Sequence, residues 1–172
     1  MSKKPPPSQS RFEAYFRRGT ELLQQGQPGQ AVSLLQKAVE LEPENMDAAL
    51  NLSSAYILTK KFKNAVPILE RLSEAYPHNA MVWTNLGAAY LGNPVLAREE
   101  EQLRAIAAFE RALQADPVAP NVAYNIGLIY RDRREVEKAI SWFERALQAN
   151  PGDQDARNLI RKLRDIESAS YE

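Results

Sequence analysis

The sequence predicts an all-α solenoid of four helix-turn-helix repeats followed by a C-terminal capping helix. The first observation is a fixed interval, since four prolines end successive units at spacings of 34, 40 and 34 residues: Pro43, Pro77, Pro117 and Pro151. The second is that apolar residues within each unit fall at helical spacing in two runs. The third is that turn residues separate the two runs, as Gly26-Gln27-Pro28-Gly29 does in the first unit.

Other residue types recur in the same register. The second helix of each unit carries an alanine at one shared position: Ala31, Ala65, Ala105 and Ala139. The first helix carries a glycine in three units, at Gly19, Gly87 and Gly127. These small residues predict that the two helices of a unit approach each other closely. A single six-residue insertion before Ala105 accounts for the longer third interval.

The interval fixes the unit boundaries at 12–45, 46–79, 80–119 and 120–153, the third unit including the insertion. Residues 1–11 contain three prolines without apolar periodicity, which predicts a disordered N-terminal tail. Residues 154–168 carry an apolar stripe and predict an amphipathic helix that caps the array, with Asp153 or Gly152 as its N-cap. Residues 169–172 are predicted to form a short second tail.

The insertion predicts a longer second helix in the third unit. The first helix should end near Gly92, and Asn93-Pro94 offers an N-cap followed by proline at the first helical position. The second helix would then run from Pro94 to about Ala115. The acidic run 98–101 lies on this extension, either as a solvated face or as a contact for a specific partner.

The third unit resembles the tetratricopeptide repeat family. Its residues at the signature positions are Trp83, Leu86, Gly87, Tyr90, Ala105, Phe109, Ala112 and Pro117. The first unit departs most, with Arg18 where leucine is usual. The resemblance covers residues 12–153 and implies a non-enzymatic interaction module or adaptor. In that family a peptide segment of the partner lies in a concave groove formed by the first helices.

The angular positions of residues on the first helices select the same side. At ~100° per residue, one side of each first helix is core, yet the opposite side also carries apolar residues. The resulting prediction is a peptide-binding groove lined by Asn51, Asn85, Asn125, Leu50, Met81, Tyr124, Leu128 and Arg17. The alternative for each residue is packing against the helix of the neighbouring unit.

The three asparagines recur at the intervals of the repeat. Asparagine is a mediocre residue inside a helix, and its amide can pair with the N–H and C=O groups of an extended peptide. A hydrogen bond between helices would explain the same pattern, so both interpretations stay open. In unit one Arg17 replaces the asparagine and predicts a carboxylate contact. The family members that clamp chaperone C-termini need lysine where Phe16, Leu50 and Thr84 stand, so such a clamp is disfavoured.

The composition excludes several function classes. The 22 basic and 22 acidic residues balance, which disfavours nucleic acid as a partner. There is no cysteine, and His78 is the only histidine, so disulfides, thiolate chemistry and a histidine metal site are excluded. No catalytic constellation or phosphate-binding loop stands out, and we predict neither an enzyme nor a cofactor.

The sequence also predicts a location and a class of partner. No apolar run approaches the ~20 residues of a membrane span, and the N-terminus lacks the apolar stretch of a signal peptide. We therefore expect a cytoplasmic protein whose partner is a protein or peptide. The alternative is a self-assembling scaffold or assembly factor, in which the first unit or the cap stacks against another copy as a homo-oligomer.

Overall fold

The computed structural model describes residues 7–169, and within this range the chain forms nine α-helices and no strand. In chain order they are α1 (Pro7–Gln24), α2 (Pro28–Leu41), α3 (Met46–Leu58), α4 (Phe62–Ala75), α5 (Ala80–Leu91), α6 (Glu99–Ala115), α7 (Val122–Asp132), α8 (Val136–Ala149) and α9 (Gln154–Ala169). The predicted all-α solenoid with a capping helix is confirmed.

Neighbouring helices pack in the order of the repeat. The four units are the pairs α1–α2, α3–α4, α5–α6 and α7–α8. Each second helix also contacts the first helix of the following unit, and α9 packs on α8. The second helices bury one large residue at a shared position: Leu35, Leu69, Phe109 and Phe143. The core is therefore a row of repeated contacts along the array.

Small residues set the distance between the two helices of a unit. A Cβ atom at Gly87 would lie 2.6 Å from the ring of Phe109, and one at Gly127 would lie 2.7 Å from the ring of Phe143. In unit two the same position holds Ser53, which is fully buried and donates its hydroxyl to a carbonyl of its own helix at 2.7 Å. Glycine or serine is needed at this position because the facing side chain leaves no further room.

The first helix begins earlier than predicted. α1 starts at Pro7, so residues 7–11, which we assigned to the disordered tail, are helical. Proline is well tolerated at the first position of a helix, where its missing N–H has no intrahelical partner. Phe12 stacks on Phe16 with the ring centroids 5.5 Å apart and is buried, which anchors this end of α1. The remainder of the predicted tail, residues 1–6, lies outside the described residues.

The insertion is a loop rather than a helical extension. α6 begins at Glu99, so the predicted start at Pro94 is wrong. Asn93 closes a turn by accepting a hydrogen bond from the backbone N–H of Val95 at 3.1 Å. The Glu101 carboxylate then accepts the backbone N–H of Arg98 at 2.8 Å and its guanidinium at 3.1 Å. This pairing, with three glutamates in the first turn, favours a helix start at Glu99.

The array ends in the predicted cap. The Asp153 carboxylate accepts the backbone N–H of Ala156 at 3.0 Å, as an N-cap does. Ala156, Ile160 and Leu163 are buried in one cluster with residues of α8. The amphipathic stripe of α9 thus covers the face that the fourth unit would otherwise expose. Of the predicted second tail, Ala169 belongs to α9, and residues 170–172 lie outside the described range.

Candidate partner-binding surface

The first helix of each unit carries the residues predicted to bind a partner. α3 contacts both α1 and α5, so these first helices lie side by side. Asn51, Asn85 and Asn125 stand on α3, α5 and α7, and each side chain is half-buried. We call the surface made by these three asparagines with Leu58 and Met81 the amide face.

Two of the amides connect neighbouring first helices. Asn51 Nδ2 donates to Thr20 Oγ1 on α1 at 2.9 Å, and Asn85 Nδ2 donates to Ser54 Oγ on α3 at 2.9 Å. Each hydroxyl donates its own hydrogen to a carbonyl one turn earlier in its helix, also at 2.9 Å. For these two residues, the interpretation as bonds between helices is confirmed. Their amide oxygens accept no hydrogen bond from the part of the chain that the structure describes.

We call the contact between two successive units a joint. The third joint, between units three and four, lacks this bond. The residue that corresponds to Thr20 and Ser54 in unit three is Ala88, which has no hydroxyl. Within residues 7–169 the side chain of Asn125 makes no hydrogen bond, although it is half-buried like the other two. The sequence held a signal for this difference, because the hydroxyl residues recur at the repeat interval.

A second recurrent bond between units is also missing at the third joint. Tyr56 accepts from Gln36 at 2.8 Å, and Tyr90 donates to Glu70 at 2.7 Å across the preceding joints. Burial raises the pKa of Tyr90, and the hydrogen bond to Glu70 raises it further. Tyr130 occupies the same position in unit four and makes no such bond among the described residues.

An arginine ties the third joint instead. Arg133 donates to the carboxylate of Glu99 at 3.0 Å and to the side-chain oxygen of Gln102 at 3.3 Å, both on α6. It also pairs with Glu135 at 2.6 Å. Hydrogen bonds from Lys138 and Arg133 hold the pKa of the Glu135 carboxyl below its ordinary value. Within the acidic run 98–101, Glu99 therefore binds Arg133 of unit four.

Three of the residues predicted to line the groove pack against other helices of the array. Leu50 is 6% exposed and belongs to the core cluster that includes residues of α5, so its placement in an open groove is wrong. Tyr124 is half-buried, with its ring 5.4 Å from that of Phe143. Leu128 is half-buried against the cluster of α8 and α9.

The pKa of Tyr124 also reflects its place beside the cap. Burial raises it first, and the negative charges of Asp155 and Asp153 raise it further. Both carboxylates lie at the N-terminal end of α9. Tyr124 packs against the cluster formed by residues of α8 and α9, so only part of its surface is available to a partner.

The remaining predicted residues are accessible. Met81 is 61% exposed, and Leu58 on α3 is exposed to the same extent. Arg17 is exposed and makes no ion pair within the described chain. The accessible part of the surface thus includes two apolar side chains, Arg17 and the amide of Asn125, which has no hydrogen-bond partner among the described residues.

Comparison with known families identifies the repeat. Two models described as Tetratricopeptide repeat match residues 22–91 and 97–154. The chain belongs to the tetratricopeptide repeat family. The gap between the two matches falls in the insertion loop, and most of α1 precedes the first match, in agreement with the atypical first unit.

Solved structures share the tetratricopeptide repeat fold. TTC0263, a thermophilic TPR protein in Thermus thermophilus, superimposes with a TM-score of 0.74 at 19% identity, over 88% of this chain and 80% of that one. A fragment of MamA from Desulfovibrio magneticus RS-1 gives 0.72 at 23% identity, over 83% and 77% of the two chains. A crystal structure of MamA protein gives 0.73 at 25% identity, over 94% and 87%.

One curated relative is the human Protein O-mannosyl-transferase TMTC3. It is 27% identical over 124 residues, which are 72% of this tetratricopeptide repeat chain and 13% of that protein. The chain thus spans about an eighth of the length of this relative. The family itself is generally a non-enzymatic interaction module, which supports a role in protein interaction or scaffolding.

Two further properties of the tetratricopeptide repeat chain bear on its chemistry. None of the helices within residues 7–169 is both long and apolar enough to cross a membrane. Over the same range no three His, Asp or Glu side chains come together as a metal site, and His78 is exposed.

Proposed function

We propose that this chain is a non-enzymatic adaptor that holds an extended peptide segment of a partner protein on the amide face. The observation that carries the proposal is the amide of Asn125, which is half-buried and makes no hydrogen bond to the described residues. A half-buried polar group without a partner loses hydrogen bonds to water, and a ligand that pairs with it restores them. The amide has two donor hydrogens and one acceptor oxygen, which match the C=O and N–H groups of an extended backbone.

The neighbouring residues support an extended ligand. The amide oxygens of Asn51 and Asn85 accept no bond from the described chain, so they can receive backbone N–H groups of the peptide. The exposed side chains of Leu58 and Met81 supply apolar contacts beside them. Backbone pairing of this kind supplies affinity with little dependence on sequence, and the apolar contacts supply preference for apolar residues in the peptide.

We expect Asn125→Ala to reduce partner capture without changing thermal unfolding. The reason is that the side-chain amide of Asn125 makes no hydrogen bond within the described chain. Asn51→Ala is the comparison for stability: it removes the bond to Thr20 and should lower the free energy of unfolding by about 1 kcal/mol. The measurement is quantitative affinity purification from native lysate, with unfolding followed by circular dichroism.

A benzoylphenylalanine at Met81 would test whether the captured segment lies on the amide face. Irradiation should attach the photoreactive residue to one peptide of the partner, and mass spectrometry would identify that peptide. Equal capture by the wild type and Asn125→Ala, or no adduct at position 81, would overturn the proposal.

A second candidate function is a self-assembling scaffold. It is favoured by an apolar tip on the insertion loop, where Val95 is 90% exposed and Leu96 is 74% exposed. Exposed apolar side chains of this kind are often contact points between proteins. We expect light scattering over a concentration series to show association that Leu96→Ser removes. A monomer at every concentration would exclude this candidate.

A further inference from the structure

The capping helix stands where a fifth unit would place its first helix. α9 packs on α8 as each first helix packs on the preceding second helix. Four signature positions of unit three are occupied by Trp83, Leu86, Gly87 and Tyr90. Counted from the start of the unit, the same positions in α9 hold, in that order, Arg157, Ile160, Arg161 and Arg164. In unit three the Gly87 position faces the unit's own second helix, as its contact with Phe109 shows. In α9 three of the four are arginines.

Two of these arginines repeat the bonds of the residues that they replace. Trp83 Nε1 donates to the carbonyl of Pro77 at 2.8 Å, and Arg157 donates to the carbonyl of the equivalent Pro151. Arg164 donates to Glu144 at 2.6 Å, as the hydroxyl of Tyr90 donates to the second helix of the preceding unit. α9 therefore packs as the first helix of a unit does. Arg157 and Arg164 are held in place by these hydrogen bonds.

Arg161 occupies the position of the glycine. In unit three even a Cβ atom at this position would lie 2.6 Å from the second helix's phenylalanine ring. A second helix could therefore not pack on α9 at the usual distance without displacing the Arg161 side chain. Beside this face lies an open cleft of about 420 Å³ between α8 and α9.

The cleft combines apolar residues with positive charge. Leu147 and Ile160 are its apolar lining residues, and Arg157, Arg161 and Arg164 are its basic lining residues. Glu144 pairs with Arg164, and Asp165 also lines the cleft. Within the described residues Arg157 bonds only a backbone carbonyl, and Arg161 bonds only the side-chain oxygen of Asn158 at 3.0 Å. Two guanidinium groups are thus without a carboxylate partner in this part of the chain.

We propose that this cleft binds an acidic amphipathic helix of a partner protein. An apolar ridge of that helix would lie on Leu147 and Ile160, and its carboxylates would pair with Arg157 and Arg161. The complementarity of charge selects an acidic partner, because guanidinium groups form two parallel hydrogen bonds with a carboxylate. The surface is separate from the amide face and does not depend on the function proposed for it.

The probe is a fluorescein-labelled synthetic peptide of about 15 residues, near the length at which an isolated helix begins to be stable. It carries leucines along one face and glutamates elsewhere, and the control peptide has lysine in place of every glutamate. Fluorescence anisotropy with the full chain should show at least about tenfold tighter binding of the acidic peptide, because charge complementarity excludes the wrong partner.

Two variants at adjacent residues distinguish binding in the cleft from a general electrostatic attraction between the peptide and α9. Arg161→Glu should weaken binding of the acidic peptide by about tenfold or more, since it places a carboxylate against the carboxylates of the ligand. Lys162→Glu makes the same change of charge on the next, exposed residue and should weaken binding by less than about threefold, as for a rim charge. Asn125→Ala should leave the affinity unchanged. Circular dichroism checks that each variant is folded, and Arg161→Gln replaces Arg161→Glu if the latter unfolds.

Several results would overturn the proposal. One is an absence of binding at millimolar peptide, and another is equal weakening by Arg161→Glu and Lys162→Glu. Tighter binding of anionic phosphatidylserine vesicles or duplex RNA than of the peptide, with the same dependence on Arg161, would assign the cleft to a different anion and would also contradict it.

Discussion

Replacing Phe143 with alanine is expected to lower the free energy of unfolding by about 3–5 kcal/mol, the range for a large aromatic residue removed from a core. The ring is fully buried and lies against Tyr124 and the glycine at position 127. It also belongs to the cluster that holds α9 on α8, so its loss weakens the fourth unit and the cap together. Urea unfolding followed by circular dichroism measures the change.

Leu58→Ala is the control for this substitution. It also shortens an apolar side chain, but Leu58 is 61% exposed and its removal leaves no internal cavity. We expect a change within about 0.5 kcal/mol, as for surface substitutions in general. A loss below about 1 kcal/mol for Phe143→Ala would contradict the packing described above, since a buried ring cannot be removed at so small a cost.

Gly87→Ala is expected to cost about 1–3 kcal/mol, the range for an overpacked core. The added methyl group would lie 2.6 Å from the ring of Phe109, which is 1% exposed and has no space into which to move. This penalty exceeds the gain of about 1 kcal/mol in helix propensity that alanine has over glycine. The same urea titration measures the result.

Gly29 offers a control with the opposite sign. It lies in the first turn of α2 with nothing within 4 Å of an added Cβ atom. Gly29→Ala should therefore raise the free energy of unfolding by up to about 1 kcal/mol, because alanine lowers the conformational entropy of the unfolded chain and has the higher helix propensity. If both alanines stabilised the protein, the close approach of α5 and α6 would not exist.

The sequence predicted most of the fold because a repeat supplies its own internal comparison. Four copies of one pattern showed which positions are core, where each unit ends and which residues must be small. Gly87 and Gly127 are at close approaches in the structure, as their shared position indicated. The cap followed from its apolar stripe, and the N-cap at Asp153 is observed.

The start of α6 could not be predicted from cap preferences alone. Asn93-Pro94 and Arg98 compete for the helix start, and the choice depends on how the Glu101 side chain reaches back to Arg98. Preferences for single positions do not describe such a reciprocal contact. The N-terminal tail was predicted to extend too far along the chain for a related reason. The burial of Phe12 stabilises the start of α1, so the helix begins at Pro7.

The candidate site was predicted less well than the fold. Angular position separates the two sides of one helix, but it does not show which residues a neighbouring helix covers, and Leu50 is buried for that reason. The three asparagines looked equivalent in the sequence. They differ because their hydrogen-bond partners lie in the preceding unit, where Thr20 and Ser54 give way to Ala88.

The bonds at the third joint make one part of the molecule responsive to ionic strength. The first two joints are held on their first helices by neutral amide–hydroxyl bonds, which dissolved ions scarcely weaken. Arg133 holds the third joint through Glu99, whose side chain is 72% exposed, and the attraction within such an exposed ion pair falls as the salt concentration rises. We therefore expect the contact between units three and four to weaken as salt rises, together with the exposed Arg104–Glu70 pair between units two and three, while the amide–hydroxyl bonds keep their strength.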